Sequence, residues 1–193
     1  MRRGHALAVL AASLATALAS AAAPDEDFNA VLQLLAQRRH GHVSFTEVHR
    51  IALLKQPLHA SGELFYDAPD HLEKRTLEPR AESLVLDHGM LTVRRGQRTR
   101  VLELASYPEV APFVESIRAT LAGDRAGLER YFTVDFSGGL AHWSLELTPK
   151  DPAVARSIEK ITISGAQATI ATVAVRQRDG DSSLVTIGPE ITP

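Results

Sequence analysis

Cysteine is absent from the 193-residue chain, and aromatic residues make up only 5% of it. Without cysteine the protein has no disulfide bond, no thiolate metal ligand and no cysteine nucleophile. A chain of about this length buries roughly 70% of the surface that it exposes when unfolded. We therefore expect burial of aliphatic side chains, without covalent cross-links, to stabilise the fold.

An excess of positive charge is also missing. The chain has 21 Lys and Arg residues against 23 Asp and Glu residues, a formal net charge of −2 at pH 7. Such a balance gives no support to nucleic-acid binding or to general polybasic attachment to a membrane surface. We expect no nucleic-acid partner and no stable membrane anchor.

The sequence also lacks the common motifs of catalysis. It contains no G-x-S-x-G nucleophile elbow, no phosphate-binding glycine loop and no H-E-x-x-H pair. His40 and His42 form the tightest histidine cluster, but a metal site needs further ligands that the sequence does not signal. Five carboxylates offer either acid–base pairs or, more simply, the solvent-facing side of strands and turns: Glu63, Asp67, Asp70, Glu73 and Glu78. We expect no catalytic residue, no metal and no cofactor.

One apolar run stands out at the N terminus. Arg2 and Arg3 precede an apolar stretch at residues 6–19, and Ser20 and three alanines follow it. This order is typical of a secretory signal peptide, and the run is too short to cross ~30 Å of hydrocarbon as a helix. The pattern predicts a cleaved signal at residues 1–22 and a single mature domain at residues 23–193. Loss of the two arginines leaves 19 basic residues against 23 acidic ones, a formal charge of −4.

The remaining chain alternates between helical and extended patterns. Apolar residues of period 3.6 predict one helix at residues 25–39 and a second at residues 108–121, and Asp124 is placed to cap a short third helix. Six short strands are predicted between residues 43 and 104, and five more between residues 131 and 187. The predicted fold is α+β, with a single curled antiparallel sheet of about 10–11 strands forming an unclosed barrel. Helices on its concave face leave either an underfilled hollow or an ordinary packed core.

A basic hairpin forms the one marked cluster of charge, at Arg94, Arg95, Arg98 and Arg100. In one interpretation it is a solvated hairpin tip that protects a sheet edge. In the other it contacts an acidic partner protein or phosphate headgroups. The sequence leaves both interpretations open.

The order of motifs resembles a known family. Phe45-Thr46-Glu47 lies early in a long strand, S-G-E-L-F-Y-x-x-P follows at residues 61–69, and E-S-L-V-L-D-H-G follows at residues 82–89. Together with the signal and the amphipathic helix, these resemble the periplasmic outer-membrane lipoprotein carriers, the LolA-like family. The resemblance implies a periplasmic monomer whose apolar hollow shields the acyl chains of a lipoprotein or other lipid cargo. It also implies an inner-membrane exporter and an outer-membrane acceptor as partners.

The resemblance also suggests which residues line the hollow, where they would bind acyl chains by dispersion and hydrophobic shielding. These residues are Phe45, Leu64, Tyr66, Leu72, Val85, Phe113, Ile117, Leu121, Trp143, Leu145 and Leu147. Leu145→Glu is therefore expected to abolish acyl binding and to leave the fold intact.

Two departures from the family mark this chain. Ala68 stands where the known carriers often have an arginine that ties the lid shut, and Lys74 and Thr76 stand where they have large apolar residues. The latch and the usual lipoprotein cargo are therefore open questions. The rival functions are a periplasmic sensor of the same fold, which usually carries an additional domain, and a lipid-modifying enzyme, which needs a reactive constellation.

Overall fold

The computed structural model describes residues 24–107 and 111–191, which form one eleven-stranded antiparallel sheet and its helices. The strands are β1 (His40–Arg50), β2 (Leu58–Asp67), β3 (His71–Glu78), β4 (Glu82–Asp87), β5 (Met90–Arg95), β6 (Arg98–Glu103), β7 (Phe132–Gly139), β8 (His142–Pro149), β9 (Ile158–Ala166), β10 (Thr169–Gln177) and β11 (Ser182–Glu190). The helices are α1 (Pro24–Ala36), α2 (Ala111–Ala122), α3 (Arg125–Tyr131) and α4 (Pro152–Ala155), with a 3-10 turn at Leu104–Ser106. The predicted signal peptide and Val110 lie outside the described residues.

The sheet does not close into a barrel. Its strands run in the order β6-β5-β4-β3-β2-β1-β11-β10-β9-β8-β7, so β6 and β7 are its two edges. The chain therefore builds two meanders and joins them by pairing its first strand with its last, Phe45 opposite Ile187. The predicted α+β class with one large unclosed antiparallel sheet is confirmed.

Local chemistry explains most of the element boundaries. Asp124 caps α3 as expected, since its side chain accepts a hydrogen bond from the Gly127 amide at 2.8 Å. β1 ends at Arg50, earlier than the apolar run predicts, because Ile51 starts a turn closed by a hydrogen bond from the Leu54 amide to its carbonyl, at 2.9 Å. Leu53 is consequently 94% exposed.

All four helices gather over one half of the sheet. α1 and α3 pack on β7, and α4 packs on β8 and β9. Phe28 of α1 stacks on Phe136 of β7 with ring centroids 5.2 Å apart. The core therefore lies between the helices and strands β7–β10, and its buried members include Val31, Leu35, Trp143, Leu145, Leu147, Ile161 and Ile163. Over this half the core is packed.

Trp143 depends on a glycine in the neighbouring strand. It lies opposite Gly165 in β9, and its indole Nε1 donates a hydrogen bond to the Gln167 carbonyl at 3.1 Å. A Cβ on Gly165 would lie 2.5 Å from Trp143 Cζ2 and would overlap the Thr169 carbonyl oxygen. Only glycine leaves room for the indole here.

We predict that Gly165→Ala lowers the free energy of unfolding by about 1–3 kcal/mol, the usual cost of overpacking a filled core. The matched control is Gly41→Ala, because a Cβ there would meet Tyr66 Cβ at an ordinary 3.9 Å. Urea unfolding of both variants checks the prediction, and equal stability of the two would contradict it.

Candidate functional site

One face of the sheet, which we call the inner face, continues from the packed core onto strands β1–β6. This face bears Trp143, Leu145 and Leu147, and the helices pack against it. Cross-strand pairs carry this face from Leu145 through Ile163, Val173 and Val185 to Glu47 of β1. Neighbours in register share a face, so every inner side chain of β1–β6 follows from the pairing.

The inner face of β2–β6 consists of three rows that run across the strands. The first row is Tyr66, Leu72, Leu86, Leu91 and Leu102. The second is Leu64, Lys74, Leu84, Val93 and Arg100. The third is Gly62, Thr76, Glu82, Arg95 and Arg98.

The first two rows form an apolar trough, which we define by Leu64, Tyr66, Leu72, Leu84, Leu86, Leu91, Val93 and Leu102. Tyr66 and Leu86 are buried, and the other six members are only half-buried. Half-buried aliphatic side chains on one continuous face leave apolar surface in contact with solvent. The trough is the part of the inner face that the core does not fill.

An ion pair interrupts the second row of the trough, between Leu64 and Leu84. Lys74 Nζ lies 2.5 Å from Glu47 Oε2 and 5.0 Å from the centroid of the Phe45 ring. Phe45 is buried and lies across from Gly62, whose missing Cβ makes room for the ring. Lys74, which departs from the family pattern, is therefore neutralised within the sheet.

An arginine of α2 reaches the turn at the first-row end of the trough. Arg118 Nη1 lies 3.7 Å from Asp70 Oδ1 in the β2–β3 turn, and Arg118 Nε donates to Glu115 at 2.8 Å. The expected family latch places an arginine at the position of Ala68. In this chain the arginine is on the helix, and the carboxylate is on the sheet two residues after Ala68.

Tyr66 lies beside this contact. Burial raises the pKa of its hydroxyl above the ordinary 10.0, and Asp70 adds to the rise, whereas Arg39 and Arg118 lower the pKa. Tyr66 is 8% exposed and lies opposite Leu72 in the first row of the trough.

The expected site residues divide into two groups. Phe45, Leu64, Tyr66 and Leu72 share the inner face of β1–β3. The structure places the remaining helix and sheet residues at or against the packed core: Phe113, Ile117, Leu121, Trp143, Leu145 and Leu147. Leu145 is completely buried, so Leu145→Glu would place an uncompensated charge in the core and is a test of folding rather than of binding.

Val85 lies on the opposite face from the other strand residues of the expected site. It pairs with Glu73, whereas its neighbours Leu84 and Leu86 pair with Lys74 and Leu72 on the inner face. The apolar run at residues 84–86 does not show which side faces inward. The turn at His88 and Gly89 shows it. Both turn residues have positive φ, and this two-residue turn places Asp87 opposite Met90 and Leu86 opposite Leu91.

Sequence reasoning missed five trough residues, Leu84, Leu86, Leu91, Val93 and Leu102. All five follow from the same hairpin register and its continuation into β6. The four hairpin arginines also divide by face, since Arg95, Arg98 and Arg100 are inner and Arg94 is outer.

The two clustered histidines lie on β1, where each contacts a carboxylate. His40 Nδ1 is 2.6 Å from Asp67 Oδ1, and His42 Nε2 is 3.2 Å from Glu63 Oε2 while its ring stacks on Phe65. Within residues 24–107 and 111–191, no three side chains of His, Asp or Glu are grouped to hold a metal. In the same part of the chain no helix is long and apolar enough to cross a membrane.

Comparison with known proteins assigns the family. A family model described as outer membrane lipoprotein carrier protein LolA-like matches residues 18–189. The chain belongs to the LolA-like family. No curated protein sequence matches this LolA-like chain.

The chain is also similar to proteins of known structure. A LolA superfamily protein from Nitrosomonas europaea superposes with a TM-score of 0.50 at 10% identity, covering 90% of this chain and 94% of the other. The lipoprotein LppX of Mycobacterium tuberculosis gives 0.49 at 10% identity, with 88% and 96% covered. A MucA/MucB complex from Pseudomonas aeruginosa gives 0.47 at 11% identity, with 87% and 56% covered.

We predict that Tyr66→Phe removes part of the loss of stability in alkali. The raised pKa of folded Tyr66 means that its contribution is fully present below pH 10 and is lost as pH rises through the folded value. Urea midpoints between pH 8 and pH 11 measure the effect, with the exposed Tyr131→Phe as matched control. A Tyr66→Phe protein that weakens with pH as steeply as the wild type would contradict the prediction.

Proposed function

We propose that this LolA-like protein is a periplasmic carrier that shields the acyl chains of a lipoprotein or other lipid-linked cargo. The observation that carries the proposal is the half-buried apolar trough on the inner face of β2–β6. Cargo passes from an inner-membrane donor to an outer-membrane acceptor, and the protein makes no covalent change to it.

The dimensions of the trough suit an acyl chain. Strands lie about 4.8 Å apart, so five of them span roughly 19 Å, and the two apolar rows are separated by roughly 6.6 Å along the strands. Leu72, Leu91 and Leu102 offer aliphatic contacts along the whole first row. Dispersion and the removal of apolar surface from water supply the affinity, and no directional bond is needed.

A carrier must also release what it holds. The six half-buried trough residues keep part of their surface in contact with solvent, so chain binding is shallow and reversible. The Arg118–Asp70 contact joins α2 to the β2–β3 turn at one end of the trough. Partly exposed ion pairs are weak, at about 0–1 kcal/mol, and such a contact opens readily.

We predict that affinity rises with chain length in a series of neutral monoacylglycerols. Each buried CH₂ contributes about 0.8 kcal/mol, which is an increase of roughly fourfold per methylene until the trough is full. Isothermal titration calorimetry below the critical micelle concentration measures the series. Absence of binding at every length would refute the carrier proposal.

A pair of neighbouring variants tests where the chain lies. Leu84→Asn removes apolar surface from the trough, and we expect it to weaken binding of monolaurin roughly tenfold. Val85→Asn changes an equally half-buried residue on the outer face and should leave affinity within about twofold. Urea unfolding of both variants checks that they are folded, and equal loss of binding in the two would contradict the assignment of the inner face.

A further inference from the structure

The three inner rows change from apolar to charged along the strands. The first row contains only apolar residues and Tyr66, whereas the third contains Thr76, Glu82, Arg95 and Arg98. Roughly 13 Å separates the first row from the third, because residues two apart on a strand rise about 6.6 Å. The face is therefore amphipathic along the strand direction, perpendicular to the rows.

Positive charge is in excess where the second and third rows reach β6. Glu47 neutralises Lys74, and Glu82 pairs with Arg95. Arg98 and Arg100, by contrast, take part in no ion pair among the described residues, and both are exposed. Two uncompensated cations therefore flank the trough in a protein whose overall formal charge is −2.

These cations are held close to one another by the hairpin. Arg95 lies directly opposite Arg98 in the β5–β6 pair, and Arg100 follows two residues later on the same face. Residues directly opposite have Cβ atoms about 4.5–5.5 Å apart, and like charges in that position repel. Glu82 compensates Arg95, so the charges that a bound anion would offset are those of Arg98 and Arg100.

Space for an anion exists beside Arg95. A depression of about 460 Å³ lies between the β3–β4 and β5–β6 turns, lined among others by Thr76, Arg80, Glu82 and Arg95, and Arg98 and Arg100 lie outside its lining. Arg80 adds a further cation, and Thr76 a hydroxyl. The depression continues the third row of the inner face.

Protection of the sheet edge explains part of this pattern. β6 is an edge strand, and charges on an edge discourage pairing with a second chain. Charged residues on either face of β6 would protect the edge equally well. The outer face of β6, however, carries no arginine, since its residues are Thr99, Val101 and Glu103. The arginines of β6 are confined to the face that carries the trough.

We propose that the trough binds an anionic amphiphile, with its chain along the first row toward α2 and its phosphate-like headgroup at Arg95, Arg98 and Arg100. This inference rests on the proposed carrier function and adds the class of ligand and its direction. Of the two residues that depart from the family pattern, Thr76 lies in the charged third row, and Lys74 lies in the second row between Leu64 and Leu84.

The test compares two ligands of equal chain length on the full protein, dodecyl phosphate and the neutral monolaurin, with inorganic phosphate and a glutamate-rich peptide as competitors. Arg98→Gln/Arg100→Gln removes the two uncompensated charges. Arg94→Gln is the matched control, since it removes a charge of the same hairpin from the outer face. Calorimetry at low and high salt gives each affinity.

We expect the wild type to bind dodecyl phosphate roughly fivefold more tightly than monolaurin, with the preference shrinking in high salt. The double variant should lose the preference and keep monolaurin affinity, and Arg94→Gln should keep both. A preference that survives the double variant, or competition by phosphate or peptide as strong as that of dodecyl phosphate, overturns the inference. Equal binding of the two ligands to the wild type overturns the inference and leaves the carrier function standing, whereas no binding of either ligand overturns both.

Discussion

The packing of four helices over one half of the sheet is the constraint on which the rest of the structure depends. Val31 and Leu35 of α1 are completely buried, as are Leu145 and Leu147 of β8, so this half has a filled core that needs no ligand. Among the described residues the helices pack chiefly on this half, and six of the eight trough residues in the other half are only half-buried. A stable core and an open apolar surface thus coexist in one continuous sheet, and the second is possible because the first supplies the stability.

Hydrophobic periodicity predicted the helices, the strands and the single large sheet because each depends on local pattern. The site was only partly predictable, since it depends on register and on which strands the helices cover. Val85 and Leu84 are adjacent apolar residues, and only the pairing across the His88-Gly89 turn separates their faces. The sequence pattern predicts both Trp143 and Leu64 to face inward. Trp143 lies under the helices, whereas Leu64 lies in the trough, five strands away.

The departures from the family pattern acquire a physical meaning in the structure. Lys74 is paired with Glu47 next to the Phe45 ring, so it divides apolar from polar surface without leaving a free charge. Ala68 removes an arginine from the sheet, while Arg118 supplies one from α2 to the neighbouring Asp70. The charged contacts next to the trough therefore depend on Lys74, Glu47, Arg118 and Asp70. A comparison of apolar patterns alone does not identify these residues.

Photo-crosslinking tests the central claim, that an acyl chain lies in the trough, most directly. A fatty acid with a diazirine at its methyl end is bound, irradiated, and mapped by peptide mass spectrometry. We expect adducts at the first-row residues Leu72, Leu86, Leu91 and Leu102, where the end of the chain meets the α2 side of the trough. Adducts confined to outer-face residues such as Val85 and Val101, or to the core residues of β8, would contradict it.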